Sequence, residues 1–397
     1  MTVQSTSAPE IGWNVRSLIY DPRFRSIFFQ AITIVVLVAI AWWIADNTIE
    51  NLTRSKTASG FQFLRSRAGF DVGQSLIPYS SDSTYGRALV VGLLNTLLVA
   101  IAGIITATII GFIVGIGRLS HNWLIAKLCT VYVEVFRNIP PLLVIFFWYS
   151  GVLAVLPQPR ESLALPFGMF LNNRGLAFPK PILENGSLLL VVAFLIAGAG
   201  AIFLKRWATA RQNATGKPFP TISTGIALII GLPLLTFLAL GAPMAFDYPV
   251  AGKFNLTGGS VIGPEFMSLY LALSFYTASF IAEIVRSGIR GVPKGQSEAA
   301  ASLGLQPGKI TRLVVIPQAL RIIIPPLTSQ YLNLTKNSSL AIAIGFSDLV
   351  SVGGTILNQT GQAIEIVVIW MIVYLTISIL TSIFMNWFNA KMALVER

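Results

Sequence analysis

Long apolar runs recur along the whole chain, and they constrain its fold more than any other feature. Each run has roughly 20 residues, which as a helix is long enough to cross a hydrocarbon core of about 30 Å. Only 11% of the 397 residues are charged and 54% are hydrophobic, so the chain lacks the polar surface that a soluble domain of this length needs. We therefore predict an all-α polytopic membrane protein.

The apolar runs predict about eight transmembrane helices. The first run follows several arginines, as the apolar part of a signal peptide does, but no small-residue cleavage site follows Ala45. We therefore expect an uncleaved first span. The eight predicted spans are 27–45, 88–117, 128–156, 187–204, 223–242, 264–287, 318–346 and 364–388.

Positive charge is concentrated in alternate connections between these spans. Lys and Arg are frequent before the first span, at 118–127, 205–222 and 286–321, and after the last span. Connections rich in Lys and Arg face the cytoplasm, so both termini are predicted to be cytoplasmic. This orientation explains the net charge of +12, and no basic run interleaved with aromatic residues indicates nucleic-acid binding.

Cys129 is the only cysteine and His121 the only histidine. A single cysteine excludes an internal disulfide framework and a multi-cysteine metal site. His121 follows a predicted helix end, where a solvated or interfacial residue is the simpler interpretation. We predict no metal site and no catalytic residue in this chain.

A polar, alanine-rich segment lies between the sixth and seventh predicted spans. Residues 295–317 have the sequence GQSEAAASLGLQPGKITRLVVIP. Its two glycines and lysine resemble a nucleotide-binding phosphate loop, but only three residues separate the glycines where four are required. Ile310 also stands where Ser or Thr is required. A nucleotide site is therefore not predicted.

The same segment is expected to form two short helices. The alanine-rich run favours a helix, and Gly304 can end it in a left-handed conformation. Pro307 suits the first turn of the next helix, because its missing amide hydrogen is not needed there. Such an exposed helix could dock into a groove of a partner protein, or the segment could be an ordinary loop on the lipid headgroups.

The order of these residues resembles the EAA loop of the permease subunits of ABC transporters. Glu-Ala-Ala at 298–300 is separated by three residues from Gly304, and Val-Val-Ile-Pro at 314–317 replaces the family's Ile-x-Leu-Pro. In that family the loop is a coupling helix that docks onto the ATP-hydrolysing subunit. The residues that the resemblance implicates in coupling are Glu298, Ala299, Ala300, Gly304 and Pro317.

Other stretches resemble the polar amino-acid branch of these permeases, and the combination is similar to bacterial general L-amino-acid permeases. The resemblance implies the core of a type I ABC importer permease, with five helices, plus three extra spans: the first one and a pair between the two core parts. The matching stretches are Asn95 to Leu98, Glu134 to Leu143, Tyr276 to Arg286 and Asn337 to Leu340. The expected organisation is a cytoplasmic N-terminus at 1–26, an extra span and periplasmic loop at 27–87, core parts at 88–156 and 264–397, inserted loops and a helix pair at 157–263, and a cytoplasmic coupling loop at 288–317.

The resemblance also implies a function and a set of partners. The chain would be a permease that takes up polar or broad-range L-amino acids from the periplasm, by alternating access, in a bacterial inner membrane. It would not be an enzyme and would bind no cofactor, since cytoplasmic partner subunits bind ATP and Mg²⁺. Its other expected partners are a periplasmic amino-acid-binding protein, a second and different permease subunit, the amino-acid substrate and the lipid bilayer.

Two other classes of protein fit the residue pattern less well. An ion- or proton-coupled secondary amino-acid transporter would need carboxylates deep in its spans, whereas the clear ones lie near predicted interfaces. A membrane scaffold would bind a cytoplasmic partner and transport nothing. Uptake that requires ATP would distinguish the importer from both.

Charged residues near the cytoplasmic ends of the spans form two pairs at helical spacing. Glu134 and Arg137 are three residues apart, as are Glu283 and Arg286. Each pair can be a neutralising ion pair, which is the simpler interpretation, or part of a cytoplasmic gate. The prolines at 140–141 are also expected to break the helix after Arg137, which exposes backbone groups next to a cavity.

Lys336 lies well inside the seventh predicted span, with Asn333, Asn337 and Ser338 nearby. A cation surrounded by amide groups could bind the carboxylate of a zwitterionic amino acid. Lys336 could instead extend to the membrane interface, or pair with a carboxylate of this chain or of its partner. These four residues form the candidate substrate path.

Overall fold

The computed structural model describes residues 22–54, 60–183, 187–241, 244–252 and 255–392. Most of the predicted N-terminal segment, 1–26, and the end of the C-terminal tail lie outside these residues. The helices are α1 (Pro22–Arg54), α2 (Tyr85–Gly117), α3 (Trp123–Asn138), α4 (Pro141–Phe146), α5 (Ser187–Thr215), α6 (Thr221–Ala239), α7 (Pro264–Arg290), α8 (Lys294–Ser302), α9 (Pro307–Ile310), α10 (Ile316–Asn337), α11 (Leu349–Thr360) and α12 (Ala363–Met392).

The predicted all-α membrane architecture is confirmed. Among the described residues, seven helices are long and apolar enough to cross a membrane, and the number is eight if α3 and the bent segment Pro141–Leu153 make one span. Each of the eight predicted spans overlaps one of these helical regions. The spans can be recognised from the sequence because the thickness of the hydrocarbon core sets the length of each apolar run.

The core of the bundle lies where α2 packs on α7. Gly111 and Gly115 allow the close approach: a Cβ atom at Gly115 would lie 2.7 Å from the Ala282 carbonyl oxygen. Small residues at a four-residue interval bring two helix backbones together in this way. Side chains of α4 and α10, among them Ile145 and Leu334, complete the same buried cluster.

Three spans lie outside this core. No residue is buried in the most apolar 18-residue stretch of α1 or of α6. In the corresponding stretch of α5, 11% of the residues are buried. Helices α5 and α6 pack on each other. The exposed apolar surface of these three helices is suited to contact with lipid.

Short antiparallel strands, which the helix-based prediction did not include, flank the α5–α6 pair in sequence. One sheet has the order β1-β2-β3-β8, and β4 pairs with β5 so that Lys180 lies opposite Asp247. Since β4 precedes α5 and β5 follows α6, this pairing brings the start of α5 close to the end of α6. The strands are β1 (Leu163–Leu165), β2 (Met169–Asn172), β3 (Gly175–Phe178), β4 (Lys180–Leu183), β5 (Met244–Asp247), β6 (Val250–Ala251), β7 (Leu256–Thr257) and β8 (Ser260–Ile262).

Candidate functional site

The segment between α7 and α10 forms the two short helices expected from the sequence. Helix α8 begins after Pro293 and ends at Ser302, and Pro307 occupies the first turn of α9. Gly304 lies between them with a φ of 77°, in the left-handed region that glycine adopts without steric cost. We call residues 291–315 the coupling segment, and the end of the bundle that carries them the coupling face.

Gly304 closes α8 through a Schellman arrangement of backbone hydrogen bonds. The amide of Leu305 donates to the carbonyl of Ala300 at 3.3 Å, and the amide of Gly304 donates to the carbonyl of Ala301 at 2.9 Å. These bonds satisfy carbonyl groups that a helix end otherwise leaves free. The direction in which the chain leaves α8 therefore depends on this glycine.

One side of α8 is buried and the other is open. Ala300 packs against the protein and is 5% exposed, whereas Glu298 and Ala299 are exposed. Leu303, at the end of the helix, is 82% exposed. An apolar side chain held outward at the tip of a short helix is suited to a groove on a second protein.

The coupling segment is attached to the transmembrane bundle through its neighbours. Gln318 of α10 donates a hydrogen bond to the side chain of Gln296 at 3.3 Å, and Pro317 lies in the first turn of α10. An open pocket of about 450 Å³ lies beside α8, lined by residues that include Arg290 and Glu298. A displacement of α8 would reach α7 and α10 directly.

Glu283 on α7 lies at the centre of a group of charges at the coupling face. Its carboxylate accepts hydrogen bonds from Arg118, which follows the last residue of α2, and from Arg286, one turn along α7, at 2.8 Å. A guanidinium nitrogen of Arg137 on α3 lies 3.8 Å from the same carboxylate. The carboxylate of Glu134 lies 3.7 Å from Arg118. We call these five residues the charge cluster.

The pairing within this cluster differs in part from the sequence expectation. The pair of Glu283 and Arg286 is present. Glu134 and Arg137, although one helical turn apart, form no ion pair with each other within the described residues. Arg137 turns toward α7, where its guanidinium lies 5.6 Å from the ring centre of Phe280, a favourable position for a cation.

Sequence reasoning did not find Arg118 as a member of this site. Its side chain is only 7% exposed, and its partner Glu283 is 165 residues away, so no helical spacing connects the two. Through Arg118 the charge cluster links the ends of α2, α3 and α7. An arrangement of this kind can hold helix ends together in a closed state.

Helix α3 ends where the two prolines were expected to break it. Ile139 is extended, with φ −104° and ψ 133°, and helical structure resumes at Pro141. The chain turns there by 110°. The side chain of Asn138 donates a hydrogen bond to the carbonyl of Glu134 at 2.7 Å, one turn back along the same helix.

The exposed side of α10 carries a stripe of polar residues. Exposed positions recur at helical spacing from Ile322 through Ser329 and Asn333 to Lys336. Polar side chains are costly in contact with lipid. This side of α10 is therefore suited to a water-filled path or to the surface of another subunit.

Lys336 lies beside the middle of α12. It lines a cavity of about 500 Å³ together with α12 side chains between Val368 and Ser378. Within the described residues it forms no ion pair. Lys336 lies in the last turn of α10, and beside the middle of α12 its charge needs water, an anion or a second subunit to stabilise it.

The four candidate residues of the substrate path do not all face the same way. Asn333 and Lys336 share the exposed stripe, and Asn337 is half-buried. Ser338 is fully buried and donates a hydrogen bond to the carbonyl of Thr335 at 2.7 Å. Helix α10 ends at Asn337 and a tighter 3-10 turn follows, which turns Ser338 away from the stripe.

Helix α11 occupies most of the connection between the last two predicted spans, where a loop was expected. Asp348 begins this helix, because its carboxylate accepts the amide of Ser351 at 2.8 Å, and Gly361 ends it with a φ of 72°. An Asp before an apolar stretch and a Gly after it are helix-boundary signals that could have revealed α11. Asp348 is fully buried, although it lies between two predicted spans and not within one.

The Asn-Thr pair at 95–96 holds α11 in place. Thr96 accepts a hydrogen bond from the amide of Leu349 at 3.1 Å, and Asn95 donates to the carbonyl of Ser347 at 2.9 Å. Both side chains are fully buried in α2. The stretch that carries part of the family resemblance is therefore a structural anchor in this chain.

A comparison with protein-family models adds to this geometry. Residues 107–394 match the model of the binding-protein-dependent transport system inner membrane component. The match begins within α2 and continues through α12. It includes the coupling segment, the charge cluster and the candidate substrate path.

Curated proteins with similar sequences cover almost the whole chain. The chain is 75% identical over 395 residues to the general L-amino acid transport system permease protein AapQ of Rhizobium johnstonii, covering 100% of this chain and 99% of the relative. It is 50% identical over 378 residues to the putative amino-acid ABC transporter permease protein YhdX of Escherichia coli K12, covering 95% and 96%. It is 42% identical over 426 residues to the glutamate/glutamine/aspartate/asparagine transport system permease protein BztB of Rhodobacter capsulatus, covering 99% of both.

Proposed function

This chain belongs to the family of binding-protein-dependent transport system inner membrane components, so it is the permease subunit of an ABC importer, and we propose that it carries L-amino acids, polar or of broad range. The observation that carries the proposal is the 75% identity, over the whole chain, with a general L-amino acid permease. A relative named for glutamate, glutamine, aspartate and asparagine transport supports the same substrate class. As the membrane component, the chain leaves ATP binding and hydrolysis to separate subunits.

The coupling segment is the proposed docking surface for the ATPase. Glu298 and Ala299 lie on the open side of α8, and Leu303 extends from its tip. Ala300 fixes the other side of the helix to the bundle, and Gly304 sets the direction of its exit. Pro317 begins α10, so closure of the ATPase subunits would move α8 and, with it, the ends of α7 and α10.

The charge cluster is proposed as the gate at the coupling face. In this structure Glu283 connects α7 with α2 through Arg118 and with α3 through Arg137. Because α7 leads directly into the coupling segment, a displacement of α8 would strain these links first. The simpler interpretation is that Glu134, Arg137, Glu283 and Arg286 only neutralise one another. It predicts a loss of stability without a change in coupling when one of these charges is removed.

The polar stripe of α10 is proposed to line the substrate path. Asn333 and Lys336 would meet the amino acid directly, with Lys336 facing its carboxylate. Asn337 lies at the end of the helix where a side chain can adjust, and Ser338 holds the turn in shape through Thr335. The cavity beside Lys336 supports this assignment, since it leaves room next to the ammonium group.

We place the coupling face and both termini in the cytoplasm, because the basic connections lie at this end of the bundle. The strands then lie on the periplasmic side, where an amino-acid-binding protein would deliver substrate. A second, different permease subunit would cover the stripe of α10. The importer core would comprise α2–α4 and α7–α12, with α1, α5 and α6 as additions.

Transport by the reconstituted complex tests this function. The chain is co-expressed with its partner permease and ATPase, and the complex is inserted into liposomes with ATP inside and the loaded binding protein outside. We expect uptake of radiolabelled L-amino acids that stops with an ATPase subunit unable to hydrolyse ATP. Competition between unlabelled L-amino acids then measures the substrate range.

The possible outcomes separate the three classes of protein. Uptake that continues with the inactive ATPase, or that an ion gradient alone drives, would identify a secondary transporter. An assembled complex without any uptake would identify a scaffold. If none of the unlabelled L-amino acids inhibits uptake, the substrate assignment is wrong while the importer assignment holds.

A further inference from the structure

The last part of α5 and the linker to α6, residues 205–220, carry positive charge without an acidic counterpart, and we call them the α5–α6 turn. Its cations are Lys205, Arg206, Arg211 and Lys217, and residues 187–241 contain no Asp or Glu. All four are exposed, and they form no ion pairs with the described part of the chain. The preference for basic residues in cytoplasmic connections explains the sign of this charge, but it does not explain how Arg211 is held.

Arg211 lies against a pair of aromatic rings. Its guanidinium carbon is 5.4 Å from the ring centre of Trp207 and 5.9 Å from that of Phe219. The two rings meet edge to face, with centres 5.4 Å apart and planes at 84°. Such contacts orient the guanidinium but leave its charge in place, so its N–H donors remain available to an anion.

These rings lie where the lipid headgroups begin. Helix α5 has 29 residues and is about 43 Å long, which exceeds a hydrocarbon core of about 30 Å. Its apolar part ends at Leu204, and Trp207 follows within one turn. The linker 216–220 returns along α5 and brings Phe219 back to Trp207. Tryptophan is enriched at this interface, and the neighbouring cations then lie at the depth of the phosphate groups.

The surroundings of the helix pair favour lipid over protein as the occupant. Side chains along α5 and α6, such as Phe203 and Ile226, are exposed and apolar, and the two helices pack on each other. A pair of helices whose sides contact lipid presents its turn to the headgroups of that lipid. A cluster of at least four basic residues just outside a spanning helix is typical of contact with anionic phospholipids.

We propose that the α5–α6 turn binds the phosphate groups of anionic phospholipids. Arg211, held by Trp207 and Phe219, donates paired hydrogen bonds to the phosphate oxygens. Lys205, Arg206 and Lys217 add positive charge to the same end of the helix pair. The site anchors an outer helix pair that makes few contacts with the importer core, and it does not depend on which substrate the importer carries.

Native mass spectrometry of the purified complex, with ATPase and partner permease present, tests this site. The delipidated complex is titrated with phosphatidylglycerol or with phosphatidylcholine, and bound lipids are counted. We expect Arg211→Gln to weaken phosphatidylglycerol binding by about fivefold, as follows from the attraction of one basic side chain to an anionic surface. Binding of phosphatidylcholine should stay the same.

Two further variants separate this site from a general effect of charge. Lys127→Gln removes an exposed cation of α3 at the same face and should leave phosphatidylglycerol binding unchanged. Trp207→Ala leaves the charge unchanged but removes one of the rings that hold Arg211, so it should weaken phosphatidylglycerol binding as well. Circular dichroism of each variant confirms that the helices are intact.

Three results would overturn the proposal. The first is unchanged phosphatidylglycerol binding in Arg211→Gln. The second is an equal loss in Lys127→Gln, which would mean that only net charge matters. The third is loss of the ATPase subunit from the Arg211→Gln complex, which would identify the turn as a protein docking surface.

Discussion

Arg118 donates a hydrogen bond to the carboxylate of Glu283, and this contact joins the end of α2 to α7 at the coupling face. The arginine side chain is almost fully buried, and the glutamate carboxylate is also the partner of Arg286 and Arg137. One carboxylate therefore interacts with three guanidinium groups. Its removal would leave a buried positive charge with only the more distant Glu134 to balance it.

Glu283→Gln should consequently destabilise the permease. A buried cation that loses its partner costs about 3 kcal/mol of unfolding free energy. Glu50→Gln is the control, since Glu50 pairs with Arg54 on the exposed surface of α1 and such a pair contributes less than about 1 kcal/mol. Thermal unfolding of the purified complex compares the two. Equal decreases in the unfolding temperature of the two variants would mean that the contact of Arg118 with Glu283 stabilises the permease no more than the exposed pair does.

The same variant distinguishes a gate from a neutralising ion pair. If the charge cluster holds the closed state, Glu283→Gln should raise ATP hydrolysis in the absence of loaded binding protein. If the cluster only neutralises charge, the rate of hydrolysis per assembled complex should equal that of the wild type. The measurement is basal ATPase activity in liposomes, at a temperature where both complexes are folded.

Gly304→Ala should weaken assembly with the ATPase. A side chain in the left-handed conformation costs about 1–2 kcal/mol, although an added Cβ at Gly304 would meet no atom within 4 Å. The cost arises from the backbone alone, so the variant would alter the exit of α8 and leave the spans folded. Gly304→Asp, which adds a charge at the proposed docking surface, should weaken assembly as well. The measurement is the fraction of ATPase that copurifies with the permease.

Gly295→Ala is the matched control for this position. Gly295 lies in the first turn of α8 with no atom within 4 Å of an added Cβ and without a positive φ. Alanine there should favour the helix by up to about 1 kcal/mol. Normal copurification in Gly304→Ala, or an equal loss in both variants, would contradict the docking role of the bend.

The parts of this molecule that were predictable from sequence have local causes. The spans follow from the length of their apolar runs, and the break after Asn138 follows from two adjacent prolines. The bend at Gly304 and the start of α9 at Pro307 follow from the backbone preferences of these two residues. Each of these features depends on residues within a few positions of one another.

The parts that were missed depend on contacts between distant residues. Arg118 finds Glu283 only because Gly111 and Gly115 let α2 approach α7, and no spacing in the sequence shows that approach. The strands have two to four residues each, too few to show alternation of polar and apolar positions. From the sequence, Glu134 was expected to pair with Arg137 at helical spacing. In the structure its carboxylate lies 3.7 Å from Arg118 instead.

Lys336→Met should abolish most amino-acid uptake without harming assembly. If Lys336 binds the carboxylate of the substrate, loss of that charge-assisted hydrogen bond should lower uptake at least about tenfold. Removing an unpaired cation from the membrane should leave thermal stability unchanged or raise it. Lys127→Met, at an exposed position of α3, is the control and should transport normally.

A different result would favour the other interpretations of this lysine. A Lys336→Met complex that loses its partner permease would show that the lysine pairs with a carboxylate across the subunit interface. Normal uptake would show that the side chain only extends toward water. Both outcomes are read from size-exclusion chromatography and uptake measured on the same preparation.

Gly353 is the place where α11 packs most closely on α12. A Cβ atom there would lie 2.7 Å from the Cε2 atom of Trp370. The indole cannot move away freely, because its nitrogen donates a hydrogen bond to the carbonyl of Leu349 at 3.1 Å. Gly353→Ala should therefore destabilise the purified complex by about 1–3 kcal/mol, measured as a lower temperature of thermal unfolding.

Gly354→Ala provides the comparison that isolates this contact. The two glycines are adjacent in α11 and gain the same helix propensity on substitution. At Gly354, however, the nearest atom to an added Cβ is the Cδ1 of Ile342, at an ordinary 3.9 Å. A lower unfolding temperature in Gly353→Ala alone is expected. Equal unfolding temperatures in the two variants would mean that α11 does not rest on Trp370.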